Sequence, residues 1–267
     1  MRRPRARWMI VGVIAAAALL TPAAIALAGQ SATGVSAQGL LWVGDPARGT
    51  RVFDGLERAP GTITVANDPL SRFGRSFRYE TWDNPDGSKE RCESRGLRRP
   101  DGSVIRIGAG QLGQTFYLGW RALWAPMPTT RGRWISFWQL HWSGAGPGGG
   151  PMTIRTLGDG MLHVQYVSPD GRTDRNIWST PLRTGVWHSF VVGIRLSRSS
   201  SDGFIEFWYD GQRQRFVNGT DHFMAALFKG DHVNYKWGVY RSGPNRGHAV
   251  EYVNNARLGT SFADVAQ

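Results

Sequence analysis

Short runs of aromatic and β-branched residues recur along the chain, and turn signals separate one run from the next. The clearest runs are GQTFYLGWRALW, RWISFWQLHW, MLHVQYV, WHSFVVGIRL, GFIEFWYDG and KWGVYR. Pro-Asp-Gly and Asp-Gly sequences, which favour tight turns and hairpins, lie among them. No long segment shows the period of an amphipathic helix. The pattern therefore predicts an all-β protein, built as a sandwich or jelly roll of short strands.

Three of the predicted strands carry unusual polar side chains on one face. Alternate side chains of an extended strand point to opposite faces, and in a sandwich one face packs inward while the other meets solvent. The outward faces hold Gln139 with His141, Arg91 with Glu93 and Arg95, and Asn234 with Lys236, Gly238 and Tyr240. Outward faces usually carry simple solubilising residues, so this set predicts a site for an anion.

These residue types suit β-elimination on a uronic-acid polysaccharide. Cations and amides can neutralise the sugar carboxylate, which makes the adjacent proton acidic. A histidine can take that proton near neutral pH, and a phenol can protonate the departing glycosidic oxygen. This chemistry requires no metal or organic cofactor. Gly238 is predicted to let the sugar approach its strand, because it has no side chain.

Three motifs, taken together and in order, resemble a known group of enzymes. Arg-x-Glu-x-Arg, Gln-x-His and Tyr-Lys-x-Gly-x-Tyr are similar to motifs of the polysaccharide lyases with a concanavalin A-like β-jelly roll. That group includes alginate lyases, glucuronan lyases and heparin lyase. The stretches WDNPDGSKERCESRG and GDHVNYKWGVYRSG most resemble secreted heparin-lyase-like proteins of actinobacteria. The resemblance extends over Leu40 to Asp264 and implies a single-domain sandwich of two antiparallel sheets.

The resemblance also implies a role for each polar residue. His141 would be the base and Tyr240 the acid. The residues that would neutralise the carboxylate or bind the substrate are Arg91, Arg95, Gln139, Lys236 and Asn234. Independently of the resemblance, the charge of Glu93 predicts a structural role, in which it orients Arg91 or Arg95 through a bidentate pair. The stretch YLGWRALW itself offers further candidates to line the groove, Tyr117, Trp120, Arg121 and Trp124, and Arg155 and Arg175 would add positive charge.

Two departures bear on the substrate. The triplet before the glycine of the third motif is Asn234-Tyr235-Lys236, where alginate lyases of this group usually have Tyr-Phe-Lys, and Arg241 follows the last tyrosine of that motif. Both differences favour glucuronan, heparin-like or other acidic glycans, and an alginate lyase remains an alternative. A non-catalytic carbohydrate-binding module of the same fold is another, since fold does not imply function. A hydrolase would need two carboxylates beside the scissile bond, and Glu206 is one candidate.

The first 28 residues have the layout of a secretory signal peptide. Four arginines precede an apolar run, and the small residues Ala26–Ala28 offer a cleavage site. A single membrane anchor is the alternative, because apolar residues resume after Pro22. With cleavage, we expect a secreted protein without stable membrane association. It would have a flexible segment at 29–38 and one polysaccharide lyase jelly-roll domain at 39–267.

Charge and cysteine content set the remaining expectations. The formal net charge is +12, and removal of residues 1–28 lowers it to +8 by taking away four arginines and no acid. A basic exported protein suggests a polyanionic partner such as an acidic polysaccharide. Nucleic acid is not predicted, because the basic residues are dispersed. Cys92 is the sole cysteine, so no internal disulfide forms. We expect a monomer; the resemblance allows a structural calcium ion, but the sequence has no calcium loop.

Overall fold

The computed structural model of the protein describes residues 39–84, 89–144, 149–243 and 245–267. The predicted signal peptide, residues 1–28, and the predicted flexible segment, residues 29–38, lie outside the described residues. Within the described part, no helix has the length and apolar character needed to cross a membrane.

Two antiparallel sheets form the fold, and we name them the back sheet and the groove sheet. In the described part, the back sheet contains β1 (Leu40–Gly44), β3 (Thr62–Asn67), β4 (Arg75–Thr81), β9 (Thr115–Trp124), β14 (Trp187–Arg195), β15 (Phe204–Tyr209), β16 (Gln212–Arg213), β17 (Phe223–Met224) and β19 (Ala249–Gly259). The groove sheet contains β2 (Gly55–Ala59), β5 (Glu90–Arg95), β8 (Ile107–Gly108), β10 (Ile135–Ser143), β11 (Met152–Thr156), β12 (Met161–Val167), β13 (Asp174–Pro181) and β18 (His232–Arg241).

The remaining elements are short. A separate hairpin pairs β6 (Leu97–Arg98) with β7 (Val104–Ile105). The helical elements of the described residues are 3₁₀ segments at Pro46–Val52 and Ala109–Gln111 and one α-helical turn, α1 (Phe262–Val265). The predictions of an all-β fold and of a jelly-roll sandwich are therefore confirmed.

An aromatic core joins the two sheets. Trp120 of β9 stacks on Trp138 of β10, with ring centroids 5.2 Å apart. Trp237 of β18 is fully buried and stacks on Trp42 of β1 at 5.7 Å. Because each such side chain buries about 150–250 Å², these contacts hold the sheets face to face. The inward faces expected from the alternation are therefore present.

Turn signals were accurate at some positions and wrong at others. Asp210 and Gly211 both have positive φ, 49° and 77°, and they connect β15 to β16 in the hairpin that Asp-Gly predicts. At Asp54 the same pair makes no hairpin, because Gly55 begins β2 and pairs with Arg95 of β5. Pairing with a distant strand overrides the local turn preference there.

The groove sheet brings strands from distant parts of the chain together. Its order is β13-β12-β11-β10-β18-β5-β2. Register shifts interrupt the pairing of β10 with both neighbours between Ser136 and Trp138. A bulge of this kind bends the strand and redirects the side chains beyond it. It changes the phase of β10, so that Ser136 joins Gln139 on the face away from the core.

Candidate active site

The predicted site residues share the outer face of the groove sheet and lie in rows across its strands. Gln139 of β10 lies opposite Lys236 of β18, which lies opposite Arg95 of β5. A second row joins Ser136, Tyr240 and Arg91. In a third row His141 lies opposite Asn234. The row of Gln139 and Lys236 therefore lies between the histidine and the tyrosine.

His141 is half-buried, and its hydrogen bonds define its tautomer. Nδ1 lies 2.5 Å from the carbonyl oxygen of Trp142, which can only accept, so Nδ1 carries the proton. Nε2 therefore has the lone pair, and the backbone N–H of Gly149 donates to it at 3.4 Å. Burial lowers the pKa of His141 below 6.5, and the positive charge of Lys236 acts in the same direction. A neutral imidazole with an accepting Nε2 can serve as a base.

Tyr240 is held by two side chains. The edge of Trp134 meets its ring at 4.8 Å, and the guanidinium of Arg91 lies over the ring, 3.9 Å from the centroid. Burial works to lower the pKa of Arg91, but Glu93, Tyr240 and Glu57 outweigh burial and raise it. Arg91 thus remains a cation beside the phenol, where it can stabilise negative charge as the phenol loses its proton.

A buried carboxylate lies at the centre of the face. Glu93 is 1% exposed, accepts a hydrogen bond from Nε2 of Gln139, and lies 3.2 Å from Nζ of Lys236 and 3.4 Å from Nε of Arg91. Burial raises the pKa of Glu93 although its cationic neighbours oppose this. The predicted bidentate pair is wrong: Glu93 contacts Arg91 through one nitrogen and also holds Lys236 and Gln139.

Glu57 of β2 is a site residue that the sequence did not reveal. It forms ion pairs with Arg91 and with Lys236, the latter at 2.9 Å, and it lies 4.0 Å from Nε of Arg95. Burial works to raise the pKa of Glu57, but Lys236 and Arg91 hold it below its ordinary value of 4.5. Its stretch, GLERA, has no strong strand pattern, and nothing local distinguishes Glu57 from a surface acid.

The cations of the face differ in their burial and in how far neighbouring carboxylates neutralise their charge. Lys236 is 4% exposed and is held between Glu57 and Glu93, so the expectation that it meets solvent is wrong. These cross-strand ion pairs draw the long side chains together, and the side chains then cover one another. The side chain of Arg95 is 53% exposed. It lies across Gly55, where an added carbon would be 2.5 Å from its Nε.

A cleft of about 330 Å³ extends from Tyr240 and Gln139 across β11 and β12 to β13. Arg155 and Ser136 line it, as does Thr153. Of the additional residues expected at the groove, Arg155 alone lies in this cleft. Arg175 packs over Phe223 in a different cleft, and Tyr117, Trp120, Arg121 and Trp124 lie on β9 of the back sheet.

Gly238 has a different purpose from the one predicted. Its φ is +122°, and a side-chain carbon there would lie 2.1 Å from the carbonyl oxygen of Cys92 and 2.7 Å from Cδ1 of Tyr79. A side chain at this position would thus collide with the backbone of β5 and with the core. Glycine is required for the backbone conformation and the close strand pairing, rather than for the approach of a sugar.

The hydrolase candidate Glu206 lies outside the groove. Glu206 lies on β15 of the back sheet, where it accepts hydrogen bonds from Tyr117 and Arg213. It is not on the groove face, so it does not supply a hydrolase pair there. Within the described residues, no group of three His, Cys, Asp or Glu side chains is placed to hold a metal ion. The expectation about a structural calcium ion stays a prediction.

The fold is a jelly-roll sandwich. The outer face of its groove sheet carries a histidine, a tyrosine and several cations that are suited to acid–base chemistry. Residues 48–257, well over half of the chain, match the family described as Polysaccharide lyase. The chain belongs to this family and is a polysaccharide lyase. Membership favours an enzyme over the non-catalytic binding module and over a hydrolase.

Solved structures with the same fold include two lyases. Endo-β-1,4-glucuronan lyase from the fungus Trichoderma reesei has a TM-score of 0.61 and 16% identity, covering 80% of this chain and 93% of that one. Alginate lyase vAL-1 from Chlorella virus has a TM-score of 0.54 and 12% identity, covering 83% of this chain and 100% of that one. At these identities the likeness establishes the fold alone. No curated protein sequence matches this one.

Gly238→Ala is expected to lower the free energy of unfolding by about 1–3 kcal/mol, because alanine is strained in this backbone conformation. The collision of the added carbon with β5 lowers the stability further. Urea denaturation measures this change. Gly110→Ala is the matched control, because an added carbon there meets nothing within 4 Å. We expect the control to stay within about 0.5 kcal/mol of wild type. Unchanged stability of Gly238→Ala with weakened substrate binding would instead support the approach of a sugar.

Proposed function

We propose that this polysaccharide lyase is secreted and cleaves a uronic-acid polysaccharide by β-elimination, with His141 as base and Tyr240 as acid. One observation carries the proposal. A histidine with an accepting Nε2 and a tyrosine beside a cation lie on one sheet face, and a row of carboxylate-binding groups lies between them. Elimination needs these three functions side by side, because the acidic proton, the carboxylate and the leaving oxygen belong to neighbouring atoms of one sugar.

The base step depends on the environment of His141. Its proton on Nδ1 is engaged with Trp142, so Nε2 is the atom that takes the proton from the sugar. The long contact from Gly149, 3.4 Å, is a weak hydrogen bond that the substrate can replace. The lowered pKa keeps the imidazole neutral near pH 7.

The acid step belongs to Tyr240. As the bond to the glycosidic oxygen breaks, the phenol donates its proton to that oxygen and becomes a phenolate. The guanidinium of Arg91, over the ring, stabilises this negative charge. Trp134 also packs against the ring, which limits the positions that the phenol can take.

The carboxylate of the sugar is neutralised chiefly by groups whose charge is not already used. Arg95 is the most exposed of the cations in this part of the face. Its ion pair with Glu57 is long, with 4.0 Å between Nε of Arg95 and the carboxylate. Gln139 donates its amide to Glu93 in the free protein. The amide of Gln139 has a second N–H, which can donate to the carboxylate of the sugar. Lys236 and Arg91 supply positive potential, and Asn234 adds a polar contact opposite His141.

Glucuronan is the polymer we place first, with heparin-like glycans and alginate as alternatives. The small Asn234 opposite His141 differs from the tyrosine usual in alginate lyases of this group. The net charge of +8 after removal of the leader suits a polyanion. A glucuronan lyase is also among the proteins that share the fold.

The mature protein, incubated with glucuronan, heparin, heparan sulfate, alginate, pectate and hyaluronan, is expected to raise the ultraviolet absorbance of conjugated unsaturated uronate with glucuronan. Only elimination creates this chromophore. A rise with another polymer would keep the reaction and replace the substrate. No rise with any polymer, together with retention on one of them, would contradict the proposed reaction.

Tyr240→Phe and His141→Ala are each expected to lower kcat at least 100-fold or so, since a positioned acid or base contributes about 10²–10⁴. The phenylalanine keeps the packing against Trp134, and His141→Ala should still bind the polymer. Tyr252→Phe, at a tyrosine of β19 in the back sheet, is the control and should stay within about twofold because it lies off the groove. Normal turnover by Tyr240→Phe would remove Tyr240 as the acid.

The acidic limb of the kcat/KM profile is expected to have an apparent pKa below 6.5. The base must be neutral to accept a proton, so activity is lost as the pH falls through the pKa of His141. Burial and Lys236 lower that pKa, which moves the loss to lower pH. Circular dichroism over the same range separates this effect from unfolding. A limb centred above 6.5 in a folded protein would be incompatible with His141 in this environment.

A further inference from the structure

A third strand continues the row of the proposed acid. Tyr240 of β18 lies opposite Ser136 of β10, and Ser136 lies opposite Arg155 of β11. All three residues line the same cleft. Two strand spacings separate the backbones of Tyr240 and Arg155, about 10 Å. Arg155 therefore lies beside the position of the reacting sugar rather than on it.

Two buried polar atoms in this row have unmet hydrogen-bonding capacity. Ser136 is 3% exposed, and its hydroxyl has no partner among the described residues. Nε of Arg155 is likewise buried without an acceptor. Buried polar groups are nearly always paired, and leaving one unpaired is costly. The row therefore has donors available to a ligand.

The positive charge of the Arg155 guanidinium is poorly compensated by the described residues around it. No carboxylate oxygen of the described residues lies within 4.0 Å of it, and its Nη2 donates to the neutral amide of Asn176 at 3.3 Å. The nearby Asp174 accepts instead from Gln165. Burial lowers the pKa of Arg155, and Asp174 offsets this only in part. Arg91, in contrast, is matched by both Glu57 and Glu93.

We propose that Arg155, with the hydroxyl of Ser136, binds the carboxylate of a second uronate unit, next to the unit that is cleaved. The proposal rests on the proposed function and extends it, because it makes the enzyme select consecutive acidic sugars. The planar fork of arginine matches a carboxylate with two parallel hydrogen bonds. Thr153, which lines the same cleft, offers a further hydroxyl to the sugar. A sulfate group has similar chemistry, and the experiment separates the two.

Arg155→Met keeps the stem of the side chain and removes the guanidinium. Its matched control is Arg175→Met, which removes the same charge from an exposed arginine of β13 that packs over Phe223 in another cleft. We expect Arg155→Met to raise KM for the polymer about tenfold or more, the usual effect of a hydrogen bond to a charged group. We expect kcat to change little, and the control to match wild type.

Oligosaccharides of defined length separate a subsite from a general loss of charge. The shortest glucuronan oligosaccharide that the enzyme cleaves should show little difference between Arg155→Met and wild type. Longer oligosaccharides, which reach Arg155, should show the full increase in KM. Methyl esterification of the carboxylates in the longer substrates should penalise wild type more than the variant. Equal KM values for Arg155→Met and Arg175→Met, or an equal increase at every length, would overturn the proposal.

Two further measurements apply if Arg155→Met does not fold or if wild type cleaves no polymer. If Arg155→Met does not fold, Arg155→Lys retains the charge without the fork, and an unchanged KM in that variant would overturn the proposal. If wild type cleaves no polymer, the proposed function fails, and titration calorimetry with glucuronan and heparin still tests the site. Weaker binding of glucuronan by Arg155→Met alone supports the uronate site. Weaker binding of heparin alone assigns the site to sulfate and overturns the uronate proposal.

Discussion

The groove depends on one buried carboxylate. Glu93 lies at the centre of the groove sheet, and three strands meet around it because each supplies it with a partner. Gln139 comes from β10, Lys236 from β18, and Arg91 from β5 itself. An unpaired charge buried this deeply would cost several kcal/mol, so the partners are required to bury it. The same contacts fix the positions of the residues on either side.

Backbone irregularity sets the direction of Ser136, whereas that of Tyr240 follows from the alternation of β18. The bulge of β10 and the positive φ of Gly238 on β18 lie in the same part of the sheet. They allow Trp138 to remain in the core while Ser136, two residues before it, faces the groove beside Tyr240. Bulges often occur beside active sites because they redirect side chains without ending the pairing of the strands. Here the irregularity reconciles a closely packed core with a serine on the groove face.

Charge compensation divides the arginines and the lysine into two groups. Lys236 and Arg91 are matched by Glu57 and Glu93, so their contribution is positional as much as electrostatic. Arg95 and Arg155 retain more of their charge for a ligand. They lie on β5 and β11, the strands on either side of β10 and β18, which carry Gln139 and Tyr240. A polyanion lying across the strands would meet these cations at separate sugars. The arrangement suits a polymer better than a single monosaccharide.

Strand alternation by itself determined much of this protein. The all-β fold, the inward tryptophans and the shared face of Gln139 with His141 follow from a period of two, which is a local property of the chain. The positions of Arg91, Glu93 and Arg95 on one face follow in the same way. These expectations required no knowledge of which strands are neighbours.

Only the tertiary structure decided what those faces contact. Glu57 enters the site because β2 pairs with β5, and the short stretch GLERA gives no local sign of this. Arg155 faces the cleft and Arg175 does not, because pairing with β12 sets the phase of each strand. The burial of Lys236 and the backbone role of Gly238 arise from side chains and carbonyls of other strands. Register between distant strands is a cooperative result of packing, and a single strand's sequence does not contain it.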